Sequence, residues 1–507
     1  MAVGLLAGCR RARTPDPTTV VVAIESSPEN LDLRVGTDAQ SERIGGLIFD
    51  PLVHKDAHYQ MQPWLAQRWE QPDARTWVFH LRDGVRFQDG RPLEAADVAW
   101  TLQSMRDGSL VTAKGGAFAH VQRVETPDRL TVVLYLDQPD ETLLFSLSDG
   151  LFGVVPRGAG QDFGLHPVGS GPFRFVSAVA DKDVLLERNP GYWAGAPRLP
   201  RVRFAVVPDA ITTALELKKG SVDVESNAVP PDMFRVLRQD PALVTESAPG
   251  SRVEYLNFNV TDPLLRDVRV RQAIACAMDR RAILDSIWHG QATPASTLLP
   301  RGHWAAAEDS QLAQYPHDVA RAEALLQAAG HPPDKSGVRI HLSLKISNDE
   351  TTRLTAIVLQ QQLRAAGIDL QIRSAEFGTF YADITRGSFQ MYALRWIGSN
   401  EDPDIFRYAY ASTSFPPRGG NRGRYANAAV DALLQQAAEE PGQEQRRRLY
   451  LGVQQDLAKD LPGIPFWYLN NAVVHRRRLQ QVVPSPSGSF DFLRQAVLSA
   501  DVPQRMY

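Results

Sequence analysis

Val338-Arg339-Ile340-His341-Leu342-Ser343-Leu344-Lys345-Ile346 alternates apolar and polar residues without a break, the period-two pattern of a half-buried strand. Arg353 to Ala366 then reads as a helix closed by Gly367, and Ile368, Leu370 and Ile372 alternate again. Strand, helix and strand in this order build a mostly parallel sheet, so the chain is read as α/β. The next apolar run, Met391 to Trp396 in MYALRWIGSNEDPDIF (391–406), is expected to be another strand of that sheet. It turns through Gly398-Ser399-Asn400 and sets Glu401, Asp402 and Asp404 around Pro403. A strand opening onto an aromatic, a glycine and acids brings backbone groups, an indole face and carboxylates to one concave site. Taken alone, the same residues also spell a strand, a turn and an Asp cap before a helix.

Outward from this unit the pattern stays mixed. Val20 to Ile24 is a β-branched run of the kind found in buried strands, followed by a helical stretch through Ile44, Leu47 and Ile48. Thr76–Leu81 and Leu130–Leu136 read as strands around a helix carrying Val98, Leu102 and Met105, one α+β unit over about 50–167. His166 to Phe173 is a turn-rich bend in which Gly169 and Gly171 are expected to be structural. Val202–Val207 is a strand, Ile211–Lys219 a helix stopped by Gly220, Val222–Val224 a strand, and Val253–Asn259 a strand. Helices are expected from Asp267, over Val319–Ala329, and near 429–438 and 444–457, before the Pro-punctuated stretch 461–466.

The bulk numbers narrow the function classes. The 507 residues are 43% hydrophobic and 22% charged, a globular composition with core for about three domains. With 55 basic against 58 acidic residues, nothing points to nucleic acid or to an anionic membrane. No apolar run reaches the ~18–20 residues that span a bilayer. The 11 histidines lack H-x-x-x-H and H-E-x-x-H spacing, so neither a metal site nor a cofactor is expected. Position 168 is Val, which breaks the G-x-S-x-G spacing, and no dinucleotide or phosphate loop follows. With these signatures absent, a secreted hydrolase is a disfavoured reading. Of the two cysteines, Cys276 sits in an apolar run as a core residue. Cys9 closes Leu6-Ala7-Gly8-Cys9, which looks like a bacterial lipobox. The apolar stretch before Cys9 is short and has no basic residue ahead of it, so it is taken as the remnant of a longer signal.

The motifs, in order, resemble the family 5 extracellular solute-binding proteins, the dipeptide, oligopeptide and nickel receptors of ABC importers. They are WVFHLRDGVRFQDGRPLEAADVAWTL (77–102), PVGSGPFRF (167–175), RNPGYW (188–193), LKKGSVDV (217–224), YLNFNVTDPLLRDVRVRQAIACAMDRRAI (255–283), AEALLQAAG (322–330), LRAAGIDL (363–370) and RWIGSNEDPD (395–404). The resemblance implies a type II periplasmic-binding-protein fold, two lobes joined by crossover strands and enlarged by an extra α+β domain. The expected division is a tether over 1–17, lobe I over 18–48, 168–262 and 478–507, the extra domain over 49–167, and lobe II over 263–477. The implied protein is an extracytoplasmic monomer, lipid-anchored through Cys9. It captures peptides or peptide-like solutes and hands them to an ABC permease and ATPase complex. The same fold holding an oligosaccharide, an opine or a metal chelate stays open as the alternative.

The resemblance also nominates site residues. Peptide-binding members place an ammonium-binding aspartate three residues after the tryptophan, and here that position is Ser399. An unpaired buried ammonium costs roughly 3–5 kcal/mol, so either Glu401 takes over the charge or the ligand lacks a free amino terminus. Asn400 is counted with the same loop. Arg353 matches the arginine that a dipeptide-binding member uses for the ligand carboxylate, a role suited to its planar fork. Trp396 is expected to stack on the ligand and Asn257 to bond its backbone, while Asp402 and Asp404 are expected to cap the following helix.

Overall fold

The computed structural model describes residues 17–499, so Cys9 and the lipid anchor it was read to carry lie outside the described residues. One eleven-stranded sheet runs through most of the molecule, and two long antiparallel strands, Leu243–Phe258 and Gly463–Arg476, traverse it. Toward one end Gly463–Arg476 pairs with Val224–Ser226, which lies beside Thr19–Ile24 and then Arg201–Val206, Asp183–Arg188 and Phe173–Val179. Toward the other end Leu243–Phe258 pairs with Met391–Trp396, followed by Ile340–Ser347 and Ile368–Ala375. The last two are parallel and in register from Ile340–Ile368 to Ser347–Ala375, with the helix Glu350–Ala365 between them in sequence. The strand–helix–strand reading is thus realised, and Met391–Trp396 joins it in parallel.

Burial explains this arrangement. All six residues of Thr19–Ile24 are buried, which fits a run that is β-branched at every position but Ala23, and each fully buried Val or Ile contributes roughly 1.5–3 kcal/mol. Val20, Val22 and Ile24 pack with Leu47, Phe173, Phe204 and Phe490, whereas Val21 and Ala23 pack on the opposite face with Leu217 and Phe234. Leu342, Leu344, Leu359, Leu363 and Leu370 form a separate core at the other end with Cys276 and Trp467. These are the two lobes of a type II periplasmic-binding-protein fold. A third body is the antiparallel sheet Ala66–Asp73, Thr76–Leu81, Thr131–Leu136, Val121–Asp128, covered by the helix Ala95–Arg106. Its core joins Trp77, Phe79, Val98, Leu102, Val132 and Leu134.

The two motifs PVGSGPFRF and RNPGYW hold this third body against the first lobe. Asp50, 1% exposed, accepts from Trp64 Nε1 (2.8 Å), Tyr192 OH (2.9 Å), Ser170 Oγ (2.8 Å) and Trp193 Nε1 (3.1 Å). A buried carboxylate demands this many donors. Gly169 and Gly171 press on the backbone of Ile48, and a Cβ at Gly169 would lie 1.9 Å from the Ile48 carbonyl oxygen.

Three local differences from the sequence reading have clear causes. The helix expected from Arg353 begins at Glu350, because Asp349 caps it by accepting from the Thr352 N–H at 2.9 Å. The strand expected at Val222–Val224 lies at Val224–Ser226, paired with Val22 and Ala23. The long strands were missed because Pro249-Gly250 and Pro462 to Pro465 are turn-like in sequence. In the structure those prolines sit at strand starts and at register shifts, between Pro249 and Val253 and between Glu254 and Tyr255, where a missing N–H is tolerated. Val253–Phe258 packs in the second lobe, whereas Leu243, at the other end of the same strand, and Val473 and Val474 pack in the first, so the two long strands serve both lobes.

Candidate ligand-binding site

The register shift after Pro249 marks where Leu243–Phe258 crosses from lobe to lobe. Gly250 is needed there, since a Cβ would meet the Leu469 carbonyl oxygen at 2.4 Å. Ser251 and Arg252 follow at the floor of a cleft between the lobes. Opposite them lies the loop after Trp396, turned by Gly398 at φ 76° and continued as a short helical turn, Ser399–Glu401. The buried Asn400 side chain anchors this loop by donating to the carbonyls of Ser251 and, at 3.0 Å, Leu298.

Glu401 is the electrostatic centre of the loop. Its Oε1 accepts from Ser251 Oγ at 2.7 Å, and its Oε2 pairs with Lys55 Nζ of the extra domain at 2.8 Å. The side chains are 3% and 7% exposed, so this is a buried charge pair between two bodies of the protein. Burial opposes the lysine charge, yet Glu401 and Asp149 outweigh it and raise the Lys55 pKa. Around the pair, Tyr59 of the extra domain stacks on His303 of the second lobe with ring centres 5.3 Å apart. His303 Nδ1 accepts from the Ala305 N–H at 3.0 Å, which leaves Nε2 to donate to the Glu401 carbonyl at 3.1 Å. Burial pushes the His303 pKa down to about 3, so the ring is neutral.

Two adjoining cavities occupy the cleft. One of about 450 Å³ is walled by His54, Asp56, Tyr59, Val483 and Phe492. One of about 140 Å³ is lined by Glu42, Arg43, Phe145, Arg252, Asn471 and Ser489. Lys55, Asp149, Glu401, Ser487 and Asp491 line both. A third hollow of about 260 Å³ opens at the ends of Ile340–Ser347 and Met391–Trp396, between Leu344, Ile346, Ala356 and Phe377, and shares Ile397 with the cleft. At its rim Arg395 pairs with Glu254 at 2.6 Å and Asp349 at 3.3 Å.

The residues nominated from sequence divide among these surroundings. Glu401 lines the cleft, but both of its oxygens already have protein partners. Asn400 holds the loop rather than lining a cavity. Ser399 opens the helical turn that Asn400 and Glu401 continue. Trp396 is 9% exposed and packs inside the second lobe, stacked on Tyr255 with ring centres 5.6 Å apart and edge-on to Tyr408. Asn257 is buried opposite Tyr392 and Gly463, beyond the crossover. Arg353 lies on the surface, paired with Glu350 at 2.7 Å, and lines none of the three hollows. Asp402 accepts from the Asp404 N–H at 2.7 Å at the head of the helix Ile405–Tyr410, and burial with the neighbouring Asp404 raises its pKa to about 7. Asp404 pairs with Arg407 at 2.7 Å and makes no side-chain capping bond. Lys55, Arg43 and Arg252 escaped the sequence reading because each sits in an ordinary strand or helix pattern, with no local signal that marks it.

A hinged pair of lobes enclosing a charged cleft defines a solute-binding protein. Residues 60–416 match the bacterial extracellular solute-binding proteins, family 5 Middle, and the chain belongs to that family. It is 30% identical to the probable di/tripeptide-binding protein 5 of Pseudomonas aeruginosa, over 94% of this chain and 95% of that one. It is 25% identical to the dipeptide-binding protein of Escherichia coli, over 94% of each. In fold it is similar to the ABC transporter substrate-binding protein CtaP of Listeria monocytogenes, with a TM-score of 0.85 over 95% of this chain and 99% of that one at 24% identity. Among the described residues no helix is long and apolar enough to cross a membrane, and no group of three or more His, Cys, Asp or Glu side chains is placed to hold a metal ion.

Proposed function

We propose that this protein captures small peptides in the cleft between its lobes and presents them to an ABC permease and its ATPase outside the cytoplasm. The observation that carries the reading is the cleft itself. Side chains of both charge signs, from both lobes, the crossover and the extra domain, converge on adjoining cavities of about 140 and 450 Å³. Such a surface suits a short zwitterion that carries an ammonium, a carboxylate and a polar backbone. The near full-length likeness to di/tripeptide-binding relatives supports the same ligand class.

A ligand touching both lobes binds the closed arrangement better than the open one, so its binding energy shifts the population toward closure. Gly250 and the register shift at Pro249, which adjoin the cavity lined by Ser251 and Arg252, support a hinge in this crossover strand. In this reading the lobes divide near 250–252 and 470–472, and the molecule works as a monomer held to the membrane through a lipidated Cys9. The test is to denature freshly purified protein and identify the released small molecules by mass spectrometry, then titrate the refolded receptor with those compounds by calorimetry. Release of di- or tripeptides that rebind in the micromolar range or tighter is the expected result; release and rebinding of a sugar or a metal chelate overturns the proposal.

A further inference from the structure

The charges lining the smaller cleft cavity are not evenly satisfied. Each of its carboxylates has a protein partner: Glu42 pairs with Lys114 at 3.2 Å, Glu401 with Lys55, and Asp491 with Arg494 at 3.4 Å. Asp149 accepts from the Lys55 N–H at 2.8 Å and faces His54 at 3.4 Å. The two arginines of the same lining differ. Arg252 Nη2 reaches only the Asn470 carbonyl at 3.3 Å, and its Nε is buried without an acceptor. Arg43 has no ion-pair partner among the described residues, and its guanidinium lies over the Phe490 ring, 6.0 Å from the centre. Glu25 and Glu42 act on the Arg43 charge without an ion-pair contact; Glu25 accepts from Gln40 at 2.8 Å and Glu42 pairs with Lys114. Two guanidinium groups, one from the first lobe and one from the crossover, thus share a cavity in which neither has a carboxylate at ion-pair distance among the described residues.

Leaving such half-buried cations unpaired is unfavourable, and a protein that keeps them gains an anion-binding fork from each. We infer that Arg43 and Arg252 form the subsite that receives the ligand's carboxylate, in place of the surface residue Arg353. Burial, Arg43 and Arg395 together lower the Arg252 pKa to about 10, the mark of a cation that its surroundings oppose rather than support. Because Arg43 belongs to the helix Ala39–Ile48 and Arg252 to a crossover strand, a carboxylate between them would also tie the first lobe to the hinge. This assignment rests on the peptide reading above.

The carboxylate has two sources, the peptide terminus or an acidic side chain, and the probes separate them. Tri-alanine carries only the terminal carboxylate, tri-alanine amide carries none, and Ala-Glu amide carries only the side-chain one. Calorimetry of wild type, Arg43→Gln and Arg252→Gln against all three is the experiment, with Arg252→Lys as a charge-retaining control. Losing a charge-assisted fork is expected to weaken the carboxylate probe by roughly tenfold to a hundredfold. The amide should bind wild type as weakly as the free acid binds the variants, with no further loss on mutation. Preference for tri-alanine or for Ala-Glu amide identifies which carboxylate is read. The ligand-free Arg252→Gln protein should melt no lower than wild type, since an uncompensated charge has been removed; a purely structural arginine would lower it. If tri-alanine or Ala-Glu amide binds wild type and both Gln variants within about twofold, the subsite is wrong and the peptide reading stands. If no probe binds wild type, the peptide reading falls and the assignment falls with it.

Discussion

Removing the Glu401 charge tests the idea that a buried ion pair clasps the extra domain to the second lobe. At a 2.8 Å separation the attraction to Lys55 is ~6 kcal/mol for an effective dielectric of about 20, and desolvation of the two groups offsets most of it. The net value of the intact pair is therefore small. The cost of breaking it is not, because the surviving partner stays buried with its charge, at ~3–5 kcal/mol. Asp149 still faces Lys55, so Glu401→Gln is placed at the lower end, ~3 kcal/mol. Lys55→Met leaves Glu401 with only the Ser251 hydroxyl among its side-chain partners, and ~3–4 kcal/mol is expected. The double variant Lys55→Met with Glu401→Gln removes both charges and should lie within ~1.5 kcal/mol of wild type, a coupling of several kcal/mol. Urea unfolding followed by tryptophan fluorescence and circular dichroism measures all four proteins. Single variants within ~0.5 kcal/mol of wild type, or a double variant equal to the sum of the singles, would refute the argument.

Three further outcomes follow from the same structure. Asp50→Ala strips the acceptor from four donors, two buried and two part-buried, at the junction of the extra domain and first lobe, and should cost roughly 3–5 kcal/mol in urea; a loss under ~1 kcal/mol would show that water replaces the carboxylate. His303, depressed to about 3 against an ordinary ~6.5, binds its proton in the unfolded chain first, so its stability contribution is complete above pH ~6.5 and is lost as pH falls toward about 3, at ~1.4 kcal/mol per pH unit. His303→Asn should flatten the stability profile across that window even if it is less stable at neutral pH, and an unchanged slope would contradict the neutral-ring assignment. Ser399→Asp should tighten binding of a free-amine peptide and leave its N-acetylated form unchanged in calorimetry; equal effects on both would mean that the loop does not meet the amino terminus.

The sequence by itself determined the architecture. Period-two alternation at 338–346 and 368–372 with a capped helix between them leaves a parallel sheet as the way to bury both faces, and the structure pairs Ile340 with Ile368 accordingly. Motif order carried the family, and in this chain those stretches meet backbone and burial demands of the fold: Gly169 against Ile48, and Ser170, Tyr192 and Trp193 around Asp50.

What only the tertiary structure decided is which charges are free to meet a ligand. Sequence shows that Glu401 is acidic and Arg353 basic, but a charge counts toward recognition only after its protein partners are subtracted. Those partners come from far along the chain: Lys55 neutralises Glu401 across 346 positions, while Arg353 is neutralised three residues away. Trp396, read as a ligand platform, is instead drawn into the core by Tyr255, its neighbour on the adjacent strand. Arg43 and Arg252 are left over only once the lobes, the crossover and the extra domain are assembled, because an unpaired charge is a property of the whole surrounding surface.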